Sequence, residues 1–266
     1  MVELLKPKTL SLLSPTVAFL LVSFSLGELG DGLNIFQGIY LVGLGWNEGS
    51  IGIALSLMGF TALIVQTWAG DLVDKTTLDR RHFLTAASVV TAISASMILF
   101  VREGNQDHAL IFISKIVEGV ASSFIGPCLA ALTLATFGPH HFDAVMASNI
   151  FWGHVGSVVA AVLAGLVSFL LYPNIKYCFL VIAASALVAV IFVQYLPEGD
   201  PLMGRGFQGK IALDEYGHVE ELEDSDDAAE SGAIKQETEA PTAATYWEVF
   251  SDPRSYILCL TGFFFQ

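Results

Sequence analysis

Six stretches of this chain are apolar over long runs: residues 16–42, 49–69, 83–101, 108–134, 144–172 and 177–196. A helix that crosses a bilayer needs roughly 20 mostly apolar residues, and each run has that reach. The runs are too long for strands and lack strict alternation of apolar and polar positions. Within hydrocarbon, each backbone N–H and C=O must be satisfied inside its own segment, which a helix does. The expectation is an all-α membrane protein whose first six helices form one bundle over residues 1–197. Composition agrees: 54% of residues are hydrophobic, 14% are charged, and the mean hydropathy is +0.63. The links between runs are short, "GWNEG", "REGNQD", "FGPHHFD" and "YPNIK", and Gly or Pro punctuates several. The opening "MVELLKPKTLSLLSP" has no small-residue cleavage site behind a short apolar core, so the first run reads as a retained span.

After Pro197 the character changes. Of the 26 acids in the chain, 13 fall between Glu198 and Glu239, beside only Arg205, Lys210 and Lys235. The membrane part is therefore near neutral, and the net charge of −14 belongs largely to one segment. Residues 198–244 read as a disordered, solvated acidic linker. "TYWEVFSDPRSYILCLTGFFFQ" then starts a new apolar pattern over 245–266. The simplest expectation is a chain that stops inside a seventh helix and is a piece of a longer protein.

Several function classes find no support. Nucleic-acid binding wants a basic surface. No G-x-x-x-x-G-K-[ST] loop appears, so ATP-driven pumping is not expected. No hydrolase triad or G-x-S-x-G elbow is present, and the chain is not read as an enzyme. His140 and His141 are adjacent and face apart on a helix, a poor metal pair. Cys128, Cys178 and Cys259 are an odd set, two of them within apolar runs, and read as small buried hydrophobes. No cofactor is implied.

Between the second and third runs, "QTWAGDLVDKTTLDRRHF" gathers Asp71, Asp74, Asp79, Lys75, Arg80 and Arg81. Lysine and arginine set orientation. With the N-terminus in the cytoplasm, the inner segments hold Lys6, Lys8, Lys75, Arg80 and Arg81 and the linker's three bases. The outer loops then hold Arg102 and Lys176.

Six spans, a long linker and the start of further spans resemble the plan of the major facilitator superfamily. Its signature between helices two and three is roughly G-x-L-x-D-R-x-G-R-R. Gly70, Leu72 and Asp74 fit, Lys75 stands for the first arginine, and Arg80 with Arg81 closes the motif. The second glycine is absent, with Thr77 nearest, and the basic pair comes about two residues late. The family's R-x-x-x-G on helix four is matched by "KIVEG", with Lys115 and Gly119. The fifth run lacks the G-x-x-x-G-P pattern of many drug–proton antiporters. The resemblance implies two six-helix bundles, a central substrate cavity lined by helices one and four, and secondary transport by alternating access. It also implies that Asp74 latches onto the C-terminal bundle. The bland alternative for Gly70, Asp74, Lys75, Arg80 and Arg81 is a topology signal alone.

Ionisable residues inside spans face a cavity or a partner by default. On a first helix through "GELGDGLNIFQG", Gly27, Gly30, Asp31, Asn34 and Gly38 share an arc of roughly 100°, with Glu28 about 60° beyond Asp31. That face is either a cavity wall or a glycine packing seam. On the fourth helix Lys115 and Glu118 are three apart, close enough to pair. A cross-helix pair between Glu28 or Asp31 and Lys115 is expected to serve substrate binding or proton coupling, or else to be a static ion pair. Asn149 and His154 on the fifth helix are second candidates; a satisfied buried histidine is the alternative for His154. The substrate is a small molecule or ion, and the lipid bilayer is the medium. A receptor or sensor of the same fold without flux is the rival reading, and a channel or structural subunit is a second.

Overall fold

The computed structural model describes residues 13–29, 33–76, 78–101, 108–200 and 204, with the backbone of 212–213 and 219–220 and position 253. Asp31, most of the acidic segment and the expected seventh helix lie outside these residues. The chain divides into two units, Met1–Gln208 and Gly209–Gln266. The described residues of the first unit are helices joined by short connections.

Helix α1, Pro15–Leu26, opens with proline at its first position, and the Ser14 hydroxyl accepts the N–H of Val17. The first run does not continue as one helix to 42. It stops at Leu26 and restarts as α2, Asn34–Gly43, after Leu33 in the left-handed region at φ 55 and ψ 41. Such a backbone costs a leucine about 1–2 kcal/mol. The sequence between the two helices is glycine-rich, where a helix is weakest. The Glu28 carboxylate accepts the N–H of Leu33 at 3.1 Å, so the break keeps that donor satisfied. The arc that would join Gly27, Gly30, Asp31, Asn34 and Gly38 is therefore not one helical face.

Helix α3, Glu48–Lys75, is capped by Asn47, whose Oδ1 accepts the Gly49 N–H at 2.7 Å. Helix α4, Arg80–Ser96, continues as a 3-10 turn, Met97–Phe100. Helix α5, His108–Ser122, ends early, and α6, Ile125–Leu170, begins after a turn at Ser123 and Phe124. Proline explains the place of this break. Pro127 lies in the first turn of α6, and its ring would strike the carbonyl of Ser123 in a continuous helix. Pro127 thus starts a new helix rather than kinking an old one.

Helix α6 contains Gly138 at φ 71 and ψ 172, followed by Pro139. The Asn149 side chain donates to Thr133 Oγ1 at 3.2 Å. A straight helix would hold those residues about 24 Å apart. The chain therefore bends back: α5 with the first arm of α6 makes span four, and the second arm of α6 makes span five. The expected loop 137–143 contracts to the Gly138–Pro139 junction. A 3-10 turn, Ile175–Phe179, leads into α7, Leu180–Val193.

Lipid is as apolar as leucine, so helices in a membrane associate through close packing. Here glycine permits it. A Cβ on Gly27 would collide with the Gly153 carbonyl, and one on Gly156 with the Phe24 carbonyl, so α1 lies hard against the second arm of α6. A Cβ on Gly119 would lie 2.5 Å from the Met58 carbonyl oxygen, which locks α5 against α3. The outward surface is apolar: Ile35 is 77% exposed and Phe169 80%. Cys128 and Cys178 are buried and free. In the second unit the backbone forms a two-residue antiparallel ladder, β1 (Ala212–Leu213) against β2 (Val219–Glu220), in a segment the sequence reads as disordered.

Candidate functional site

Lys115 and Glu118 lie one turn apart on the buried face of α5. Their side chains are 1% and 0% exposed, and Lys115 Nζ is 2.9 Å from Glu118 Oε2. Nζ also donates to Asn34 Oδ1 at 2.9 Å and lies 3.9 Å from Met58 Sδ. The Asn34 Nδ2 reaches the same sulfur at 3.9 Å. Three side chains, from α2, α3 and α5, thus surround one ammonium. Burying charge is expensive unless it is paired and hydrogen-bonded, and this pair is both.

The break in the first span places Asn34 here. Because α2 restarts at Asn34, its amide turns toward α5 instead of following the α1 face. On the other side Asn34 edges a recess of about 350 Å³ between the break and the second arm of α6. Glu28, Leu33, Phe36, Ser157 and Ala161 also line it. Glu28 is buried, 8% exposed. Of the residues expected at the site, Glu28, Asn34, Lys115 and Glu118 are brought together, with Asn34 as the cross-helix contact of Lys115. Asp31 lies outside the described residues.

The other two candidates sit elsewhere. Asn149 is buried and joins the two arms of α6 through Thr133, whose hydroxyl in turn donates to the Leu129 carbonyl. His154 is exposed, not buried, one position past the Gly153 contact with α1.

The charged motif forms a separate cluster at one end of the bundle. Gly70 has open space around its Cα, and exposed Lys75 pairs with Asp71 at 2.8 Å within α3. Asp74 is exposed near the end of α3. Arg80 and Arg81 are buried in the first turn of α4, where the helix dipole disfavours cations. What holds Arg81 is its partners. It donates to Asp79 Oδ2 at 2.7 Å, to the Leu196 carbonyl at 3.0 Å and to Glu198 at 2.5 Å. Asp79 also caps α4 by accepting the Arg81 N–H at 2.9 Å. Partial burial raises the Asp79 pKa, but the hydrogen bonds and charge of Arg81, with a smaller contribution from His82, outweigh it and hold the carboxyl below its ordinary value. The backbone of Asp200 then donates to the Ala135 carbonyl at 2.9 Å. The first residues after Pro197 are thus pinned to α4 and the first arm of α6, although composition places them in a disordered linker.

Met58, Thr133, Ser157 and Glu198 were not legible as site residues. A methionine or serine in an apolar run carries no signal of its own, and Glu198 resembles the acids that follow it. The sequence carries one pattern for this cluster, the D-x-R spacing of Asp79 and Arg81, which places an N-cap acid beside a base.

A sequence profile described as Major Facilitator Superfamily matches residues 10–266. Two curated relatives from Mycobacterium tuberculosis, in strains CDC 1551 and H37Rv, are each described as an uncharacterized MFS-type transporter. Each is 34% identical over 178 residues, covering 66% of this chain and 41% of the relative. The chain spans about two fifths of the length of these relatives, the 41% that the match covers. No solved structure matches it significantly.

Proposed function

The chain belongs to the major facilitator superfamily, and on that premise we propose that it forms the N-terminal bundle of a secondary transporter that moves a small solute by alternating access, coupled to protons. The observation that carries this reading is the buried cluster of Lys115, Glu118 and Asn34 at a broken first span. Charges inside a span are costly and mark ion or substrate pathways. Discontinuous helices in transporters commonly flank the binding site. A carboxylate whose charge depends on a movable lysine supplies a coupling element. Asp31 stays a first candidate for the same pathway beside Glu28, and Asn149 and His154 are secondary ones. The N-terminus is assigned to the cytoplasm from its lysines and from Lys75, Arg80 and Arg81. A C-terminal bundle supplies the other cavity wall, the partner of Asp74 and the route past the acidic linker.

The test is flux in liposomes containing the full-length protein. With Glu118→Gln, flux driven by a pH gradient is expected to fall at least tenfold while equilibrium exchange of solute continues. Asp31→Asn is tested in the same assay. Gradient-driven flux at the parent rate in Glu118→Gln removes the coupling role.

A further inference from the structure

Proline leaves a gap in the hydrogen bonding of the first arm of α6. In a helix the carbonyl of Ala135 would accept from the residue four positions on. That residue is Pro139, which has no N–H to give. Gly138, just before it, is at φ 71 and ψ 172, so the helical path is interrupted at the same place. A donor from far along the chain fills the gap: the backbone N–H of Asp200 donates to the Ala135 carbonyl at 2.9 Å. Gly199 permits the approach. It is at φ 66, in the region that favours glycine, and a Cβ there would lie 2.5 Å from the Ala135 carbonyl oxygen. Arg81, in the first turn of α4, holds the same stretch from the other side. It donates to the Leu196 carbonyl at 3.0 Å and to the Glu198 carboxylate at 2.5 Å.

We propose that Glu198, Gly199 and Asp200 form a strap that couples the exit of span six to the bend between spans four and five. The strap supplies the donor that Pro139 withholds, so the last turn of the first arm, residues 136–138, is held closed while the strap is seated. The seat is reversible. It consists of one backbone hydrogen bond and of contacts to Arg81, and the Glu198 side chain in them is 62% exposed and screened by water. Span four also carries Lys115 and Glu118, on α5. A pull on the chain beyond Asp200 is thus relayed to the span that holds the buried pair. The relay lies within the chain and holds whatever solute is moved.

The test is hydrogen exchange of the full-length protein in detergent, read residue by residue by mass spectrometry. In Gly199→Ala the Asp200 amide is expected to exchange at least tenfold faster than in the parent, and the amides of residues 136–138 at least threefold faster. Pro139→Ala returns an N–H four positions after Ala135, which competes for the same carbonyl. It is expected to free the Asp200 amide at least tenfold while slowing exchange at residues 136–138. The same sign at the strap with opposite signs at the arm separates a shared acceptor from a general loss of stability. Gly165→Ala, with nothing within 4 Å of the added Cβ, is expected to change neither. If Gly199→Ala does not fold, Pro139→Ala decides by itself. An Asp200 amide at the parent rate in either folded variant overturns the proposal, as does a freed Asp200 amide with unchanged exchange at residues 136–138.

Discussion

The Lys115 ammonium lies 2.9 Å from the Glu118 carboxylate, one turn along the same helix, and neither side chain reaches the surface. Two opposite charges enclosed this way depend on each other. Removing one leaves the other unpaired at a cost of about 3 kcal/mol or more, whereas removing both together is often close to neutral. Lys115→Met alone is expected to lower the unfolding midpoint strongly. The pair Lys115→Met with Glu118→Leu should recover most of that loss. A thermal-unfolding double-mutant cycle on the detergent-solubilised protein measures the coupling. Additive effects would mean that the two groups do not stabilise each other.

The α3–α5 crossing that presents Met58 to this pair depends on Gly119. With a Cβ 2.5 Å from the Met58 carbonyl, Gly119→Ala must push two helices apart. We expect a loss of about 2 kcal/mol, in the range of overpacked cores. Gly165 is the internal control, because nothing lies within 4 Å of a Cβ added there. Gly165→Ala should be neutral or stabilise by about 0.5–1 kcal/mol through helix propensity alone. Unfolding midpoints of the two variants decide it, and equal shifts would discount the close crossing.

The spans were legible because a run of apolar residues states its own purpose in a bilayer. The family was legible from Gly70, Leu72, Asp74, Lys115 and Gly119, whose spacing survives without coordinates. The interruptions were not. The polar, glycine-rich stretch from Gly27 to Asn34 reads as one polar face of a continuous helix instead of a break, and hydropathy passes smoothly through Ser122 to Ile125, since an apolar residue scores alike in a helix and in a turn. The consequence reached the site: a continuous first helix would put Asn34 on the face of Gly27, while the break sends it to Lys115. Glu198 was misread for a different reason. Composition averages over a window, and one ordered acid at the head of an acidic run cannot be separated from its neighbours.

Arg81 is the centre of the other cluster, and its partners differ in what they contribute. Glu198 is 62% exposed, so the pair is screened and worth about 0.5 kcal/mol. The bonds to Asp79 and to the Leu196 carbonyl are more enclosed. Glu198→Gln is therefore expected to shift the unfolding midpoint slightly. Arg81→Ala should cost about 2 kcal/mol, because it leaves the buried Leu196 carbonyl and Asp79 Oδ2 without their guanidinium donor, while the backbone N–H still caps through Oδ1. Arg81→Lys should recover only part, since one ammonium cannot span three acceptors fixed by a planar fork. A large loss in Glu198→Gln with a small one in Arg81→Ala would reverse this ranking.

Asp79 gives the same cluster a pH dependence. Its carboxyl is held below the ordinary value, with burial opposing and the hydrogen bonds and charge of Arg81 prevailing. A group whose folded-state pKa is lowered adds stability that is complete above its unfolded value, roughly 3.9 for aspartate. That stability is lost as pH falls from there through the lower folded value. Near neutral pH the contribution is therefore fully present, and acidification below about pH 4 removes it. Asp79→Asn keeps an N-cap acceptor for the Arg81 N–H and deletes only the titrating charge. The variant should be less stable than the parent at pH 7, and the gap between the two unfolding curves should narrow progressively as pH falls below about 4. Midpoints measured across that range in detergent check the sign. A constant gap between parent and variant from neutral pH down to acid would show that Asp79 does not titrate in this window, and the stabilising charge would have to be sought among the other partners of Arg81.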